Sequence, residues 1–304
     1  MAAAARCVSC KVRATCSLSS KAAAAAPRPA LPEQSVFRRP LPTTLVRFAS
    51  RTGKLMFSEA LRGACSQVSL HCEPTQSLCR PRPFPPDPPS DGTAEPYFPL
   101  SEQYVTQQEI SFCALGSLTM VMNALGVDPR RRWRDESGPG WRWWDDEMFT
   151  EGACLPSLDD LRREGAGLAE FAVLAAANGA AVNSQHAEAS SERSFRKALA
   201  AAARLSDSFV VVNFDRSALG QTGCGHFSPV AGYHAASDSV LVLDVARFKY
   251  PPFWVPVPAL WEATRSFDAD AGASRGWLRL SAWDGTSCSR LGASETTSAR
   301  LGVC

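Results

Sequence analysis

The sequence predicts an α+β fold, a helical lobe followed by an antiparallel sheet, and three observations carry that prediction. Helical periodicity dominates the middle of the chain, and short β-rich runs dominate from Phe209 onward. Neither a GxGxxG nor a P-loop pattern is present to argue for a doubly wound sheet. With 304 residues, 45% hydrophobic and 20% charged, the chain can bury a sizeable core as one large domain or two small ones.

Residues 1–40 are rich in Ala, Ser and Arg, with Arg6, Lys11, Arg13, Lys21, Arg28, Arg38 and Arg39 set against the single acid Glu33. That composition is expected of a plastid or mitochondrial transit segment, the alternative being an uncleaved tail on a cytoplasmic protein. A short helical pattern follows over Gly53 to Leu61. The run RPRPFPPDPPSDG, Arg80 to Gly92, then imposes an extended linker, because proline fixes φ and removes donors. Globular sequence resumes near Tyr97 and runs to Ala282. A Pro-rich insert is thus expected at about 66–95, ahead of this globular region. The tail at 283–304 is rich in Ser, Gly and Thr and has little to bury.

In SLTMVMNALGVDP, Leu118, Val121, Met122 and Leu125 fall at helical spacing, and Gly126 and Pro129 lie at the end. This helix is expected to begin at or just after Cys113. Further helices are predicted over Gly167 to Asn178 and Ser194 to Leu205. The period then changes. FVVVNF, HFSPVAGYH and SVLVLDVARF are strands, the last two joined by the turn-like Ala235 to Asp238, and Gly276 to Leu280 offers another.

The net charge of +2, without a basic stripe interleaved with aromatics, argues against a nucleic-acid partner. No apolar run reaches the roughly 18 residues of a membrane-spanning helix, so no membrane partner is expected. Eleven cysteines, scattered and odd in number, do not repeat as a secreted disulfide framework would, and a reduced compartment is expected. Cys7 and Cys10 form a lone CxxC without a second pair at zinc spacing. The metal ligands and the oligomeric state stay open, a homodimer among the options.

A thiol at a helix start meets unpaired N–H groups and the positive dipole end, which favour the thiolate. Cys113 holds that position, with small residues Ala114, Gly116 and Ser117 after it. His226 begins a strand between Gly225 and Ser228, and a hairpin near Asp238 would set it beside Asp244. The imidazole then takes the thiol proton while the carboxylate orients the ring. Gln107, six positions before Cys113, is a candidate oxyanion donor. Each residue alone has a plain structural alternative: a buried thiol, a core histidine, a strand-end aspartate that pairs with Arg247, a solvated glutamine. In sequence order the set Cys, His, Asp is that of papain-like enzymes.

The runs QQEISFCALGSLTMVMNALGVDP, GWRWWDDEM, QTGCGHFSPVAGY and LDVARFKYPPFWVP resemble phytochelatin synthase, the glutathione gamma-glutamylcysteinyltransferase family, over roughly Thr43 to Ala282. The resemblance implies a papain-like fold and attack of Cys113 on the Cys-Gly amide of glutathione. Glycine is released, and the γ-glutamylcysteinyl thioester passes to a second glutathione or to a growing phytochelatin peptide. It assigns His226 as base and acid, Asp244 as the orienting carboxylate and Gln107 as oxyanion donor. Asp268 and Arg275 are assigned to the α-amino and α-carboxylate groups of the γ-glutamyl end, and Arg216 to the second substrate. It implies no fixed cofactor. Activation is expected from heavy-metal ions such as cadmium, zinc or copper carried as glutathione thiolates, since soft sulfur ligands select soft metals.

The chain departs from that pattern at Ala114, where relatives have glycine, and at Cys224, where they often have threonine. Its short tail is like that of bacterial relatives that chiefly hydrolyse glutathione to γ-glutamylcysteine and glycine. A glutathione hydrolase is therefore the nearest alternative. A catalytically silent metal- or thiol-binding protein and a general peptidase stand behind it. Trp141, Trp143 and Trp144 are expected to fill structure.

Overall fold

In the computed structural model, residues 40–62, 93–133, 142–150 and 155–283 are described. The transit-like segment but for Pro40, the lone CxxC, the Pro-rich run Arg80–Gly92, Trp141 and the tail beyond 283 lie outside the described residues. The elements are β1 (Val46–Arg47), α1 (Arg51–Arg62), α2 (Tyr97–Glu102), α3 (Cys113–Ala124), α4 (Leu158–Glu164), α5 (Leu168–Ala177), β2 (Ala180–His186) and α6 (Glu192–Ala202). There follow β3 (Ser208–Asp215), β4 (Gly225–His234), β5 (Ser239–Val242), β6 (Phe253–Pro256), α7 (Val257–Arg265), β7 (Phe267–Asp268), β8 (Ala273–Ser274) and β9 (Gly276–Ala282).

Seven strands form one antiparallel sheet in the order β1-β6-β5-β4-β3-β9-β2, and β7 and β8 form a separate pair. The architecture is α+β, as expected. β3 lies near the centre of the sheet, and both its faces are covered. Phe209 and Val211 join the cluster built by α3 and α5, whereas Val210, Val212 and Phe214 join the cluster of α6 and α7. That double burial explains why FVVVNF reads as an unbroken apolar run rather than an alternation. Burying one such side chain stabilises the fold by about 1.5–3 kcal/mol.

Three differences from expectation have local causes. Ser191 caps α6 by accepting from Ser194 N at 3.2 Å, so that helix starts earlier than the apolar spacing indicates, and it ends at Ala202. SVLVLDVARF is not one strand: β5 ends at Val242, and the chain leaves the sheet after the Leu243 N to Pro229 O bond of 3.0 Å. Several short elements escaped prediction, and two longer ones with them. β2 carries Asn183, Ser184 and Gln185 in its middle because it is an edge strand paired only with β9, and α7 starts at a Pro-Val-Pro sequence that masks its periodicity. Among the described residues no helix is long and apolar enough to cross a membrane.

Candidate active site

α3 starts at Cys113, which is half-buried while the next nine residues are fully buried. The close approach of the preceding loop requires Gly116, since a Cβ there would stand 3.2 Å from the Cβ of Gln107. The helix is clipped to β4 at its first turn. Ser117 Oγ donates to the Phe227 carbonyl at 3.1 Å, and the Phe227 N–H is turned onto the Cys113 sulfur. The sulfur therefore lies against the residue that follows His226. Burial pushes the thiol pKa up, while the N–H groups of Phe227 and Ala114 and the charge of Arg216 pull it back.

His226 is buried at the start of β4, with its ring edge-on to Phe214 at 5.5 Å. Its Nε2 lies 2.9 Å from Asp244 Oδ1 and 2.9 Å from Ser228 Oγ. Because the carboxylate accepts from Nε2–H, the lone pair resides on Nδ1. Asp244 sits two residues past the end of β5, on the segment that leaves the sheet. It is held there by Tyr104 Oη, which donates to its carbonyl at 2.8 Å, and by Ala246 N, which donates to Oδ1 at 2.9 Å. Arg216 Nη2 lies 2.8 Å from each carboxylate oxygen.

Burial works against the Asp244 carboxylate, but the charges and hydrogen bonds of His226 and Arg216 outweigh it and take its pKa down to about 2. Burial, then the charge of Arg216, lower His226 to about 4 against the opposing pull of Asp244. The resting site thus holds an uncharged imidazole beside an ionised carboxylate.

Cys113 opens on a cleft of about 520 Å³ lined also by Asn213, Cys224, Gly225, Asp268 and Arg275. Arg275 Nη1 donates to Asp268 Oδ2 at 2.6 Å, with Asn213 Oδ1 at 3.5 Å. Gly225 is what admits this guanidinium: a Cβ there would fall 2.4 Å from Nη1. Asp268 and Arg275 are therefore in the cleft where the resemblance put them, and Cys224 is an exposed thiol in the same wall.

Two expected residues are placed differently. Gln107 spends both hydrogens of Nε2 on the carbonyls of Glu109, at 2.7 Å, and Ile110, at 2.8 Å, while its Oε1 is buried without a partner. In this arrangement it braces the loop before Cys113 and has no donor left for an oxyanion. Arg216 does not line the cleft. Its guanidinium is folded behind His226 onto Asp244, because a buried carboxylate there needs a cation more than a solvated substrate does. Arg247, the alternative partner for Asp244, instead lies over the Tyr104 ring at 4.5 Å.

Asn213 and His186 line the cleft and were missed. A single amide inside FVVVNF was a usable signal, since a polar side chain in a doubly covered strand must have a purpose; His186, bonded through Nδ1 to the Ser274 carbonyl at 2.6 Å, offered none. Trp144 is core, stacked on Phe149 at 4.7 Å, and Trp143 is exposed.

An antiparallel sheet packed on a helix that starts at a cysteine, with a histidine at the start of one strand and an aspartate just past the end of the next, defines a papain-like α+β protein. A sequence model of phytochelatin synthase matches residues 88–277. The chain is 39% identical over 247 residues to glutathione gamma-glutamylcysteinyltransferase 1 of Lotus japonicus, covering 81% of this chain and 42% of that relative. It is 36% identical over 248 residues to the Arabidopsis thaliana enzyme 1, covering 81% of this chain and 44% of the relative. To the Schizosaccharomyces pombe glutathione gamma-glutamylcysteinyltransferase it is 35% identical, over 82% of this chain and 51% of the relative. The chain belongs to the phytochelatin synthase family. It spans about half the length of the curated relatives it matches.

Proposed function

We propose that this chain transfers the γ-glutamylcysteinyl group of glutathione to a second glutathione or to a growing phytochelatin, through a thioester on Cys113. The observation that carries the reading is the Cys113 sulfur held against Phe227, beside a buried His226–Asp244 pair, at the wall of a cleft that also presents Arg275 and Asp268.

Cys113 gives its proton to Nδ1 of His226 as the sulfur attacks the carbonyl of the Cys-Gly amide. The first-turn N–H groups of α3 face the developing oxyanion, a task the Gln107 amide is not placed to perform. The carbon–nitrogen bond then breaks, His226 returns the proton to the departing glycine amine, and the thioester remains. The α-amine of the acceptor attacks that thioester, and its proton leaves through His226 as the carbon–sulfur bond opens. Asp244 stays ionised throughout and holds the ring.

Arg275 forks onto the α-carboxylate of the γ-glutamyl end while Asp268 takes its ammonium. A cleft of about 520 Å³ is of a size for a tripeptide. Among the described residues no group of three or more His, Cys, Asp or Glu side chains is placed to hold a metal ion. The activating metal is proposed to enter with the substrate, as a cadmium, zinc or copper thiolate of glutathione.

Incubating the full chain with glutathione, with and without cadmium, and separating the thiol products by mass tests the reading. Peptides longer by γ-Glu-Cys units, absent with Cys113→Ala, are expected. γ-Glutamylcysteine and glycine alone would replace the transferase with a hydrolase, and no glycine release would defeat both.

A further inference from the structure

Arg216 is the charged group that the acyl-transfer chemistry leaves without a task. It is 2% exposed, deeper than any other arginine among the described residues. Nη2 lies 2.8 Å from the Asp244 carboxylate, and Nη1 donates to Gln221 Oε1 at 2.6 Å. The guanidinium is walled by the Tyr250 ring at 5.2 Å and the Phe214 ring at 5.9 Å, the second of which also meets the edge of His226. The main chain of the same residue ties the connection that leads into β4. Its N–H donates to the Cys224 carbonyl at 3.1 Å, and its carbonyl accepts from Leu219 N at 3.1 Å and Gln221 N at 2.9 Å. Thr222 N is in turn held by Tyr250 Oη at 2.7 Å. One residue therefore joins the end of β3, the loop to Cys224 and Gly225, and the carboxylate behind His226.

Resting on the acyl-transfer reading, we propose that Arg216 is a positioning residue: it locks the Asp244 carboxylate and, through it, the Nε2 edge of His226, and it makes no contact with substrate. Three physical points favour this. A guanidinium that is 2% exposed and donates to Asp244 and Gln221 is not free to meet a ligand. An unpaired buried carboxylate is costly, so Asp244 needs this cation even when His226 is neutral. Lastly, Arg216 Nη2 donates to the same Oδ1 that accepts from Nε2 and stands 2.8 Å from Oδ2, so its charge opposes a rotation that would turn Oδ1 away from Nε2.

The arrangement also sets the charge of the ring. The charged groups acting on His226 are Asp244 and Lys249 from the segment after β5 and Arg216 from the end of β3, while the Cys113 thiol meets the N–H of the next residue, Phe227. Of these, Arg216 and Lys249 oppose protonation and Asp244 favours it. Removing the Arg216 charge leaves the pull of Asp244 less opposed. The imidazole then protonates at higher pH, and the uncharged base is lost from the acid side.

The test uses the full chain with ring-labelled histidine, whose four histidines are few enough to resolve by NMR. Wild type, Arg216→Lys and Arg216→Met are titrated, and their initial rates of glycine release are measured against pH and glutathione. Wild-type His226 is expected to titrate near 4. In Arg216→Met its midpoint rises by about one pH unit or more, and the acid limb of kcat moves with it. In Arg216→Lys the charge survives but the fork does not, so the midpoint stays near wild type while kcat falls about 10²-fold with KM unchanged.

An unmoved His226 midpoint in Arg216→Met overturns the proposal. A rise in KM for glutathione with kcat and the pH profile unchanged also overturns it, by making Arg216 a substrate contact. Should Arg216→Met not fold, Arg216→Lys decides between the two through its kcat and KM. Wild-type protein that releases no glycine defeats the acyl-transfer reading, and the His226 titration still answers for Arg216.

Discussion

Arg216 with Asp244 and Arg275 with Asp268 are the same chemical pair in two settings. The first is 2% and 0% exposed and stands behind the histidine; the second is 10% and 15% exposed and stands in the cleft wall. Nitrogen–oxygen distances of 2.8 and 2.6 Å do not separate them. Burial does. The inner pair is tied to protein groups, with His226 and Ala246 on Asp244 Oδ1 and Gln221 on the guanidinium, and is part of the frame. The outer pair keeps a face on the cleft, so that an ammonium and a carboxylate arriving together can replace each ion's partner with one of their own. Identical residue types thus become scaffold or receptor according to what surrounds them.

The largest expected effect breaks the inner pair. Asp244→Ala leaves Arg216 buried and uncompensated and should cost about 3–5 kcal/mol in urea unfolding, with glycine release falling about 10³-fold or more. Asp268→Ala, at the cleft wall where water can reach the guanidinium it leaves, should cost less, about 1–2 kcal/mol. Equal losses of stability would erase the distinction.

Next, Arg275→Ala should raise KM for glutathione about 10–100-fold and leave kcat within about threefold, as loss of a charge-assisted fork requires. A smaller effect of the same sign is expected from Gly225→Ala. Its Cβ would fall 2.4 Å from Nη1 and displace the guanidinium without deleting it. KM should rise about 10-fold, and a change in kcat alone would mean that the glycine serves His226 instead.

Specific to the inner site, and spread over several pH units, is the response of stability to acid. The folded His226 pKa lies below its ordinary value of 6.5, at about 4, so the unfolded chain binds the proton first. Stability should therefore fall as pH drops from 6.5 to about 4. Asp244, lowered from 3.8 to about 2, adds stability above 3.8 that is lost as pH falls through about 2. Melting curves across this range, with His226→Gln as the variant that removes the upper step, check the sign.

Cys113, His226 and Asp244 were legible because each announces itself locally: a cysteine entering an apolar helix, a histidine between small residues, an aspartate ending an apolar run. The central strands were legible for the same reason. Arg216 was not, since sequence gives a charge but not the side of the strand on which it is buried, and Gln107 was placed correctly in the chain but not in its hydrogen bonds. β2 and α7 were hidden by polar edge residues and by proline. The cleft itself lies between the start of α3, the α4–α5 region and the start of β4 on one side and β7, β8 and the ends of β2 and β3 on the other, and its shape follows from long-range pairing that no local pattern contains.

The most direct measurement is the mass of the peptide that carries Cys113 after brief mixing of the full chain with glutathione and quenching in acid. The account predicts one γ-glutamylcysteinyl group on Cys113, labile to hydroxylamine and missing in Cys113→Ala. The same adduct on Cys224, or glycine release without any adduct on Cys113, would contradict it.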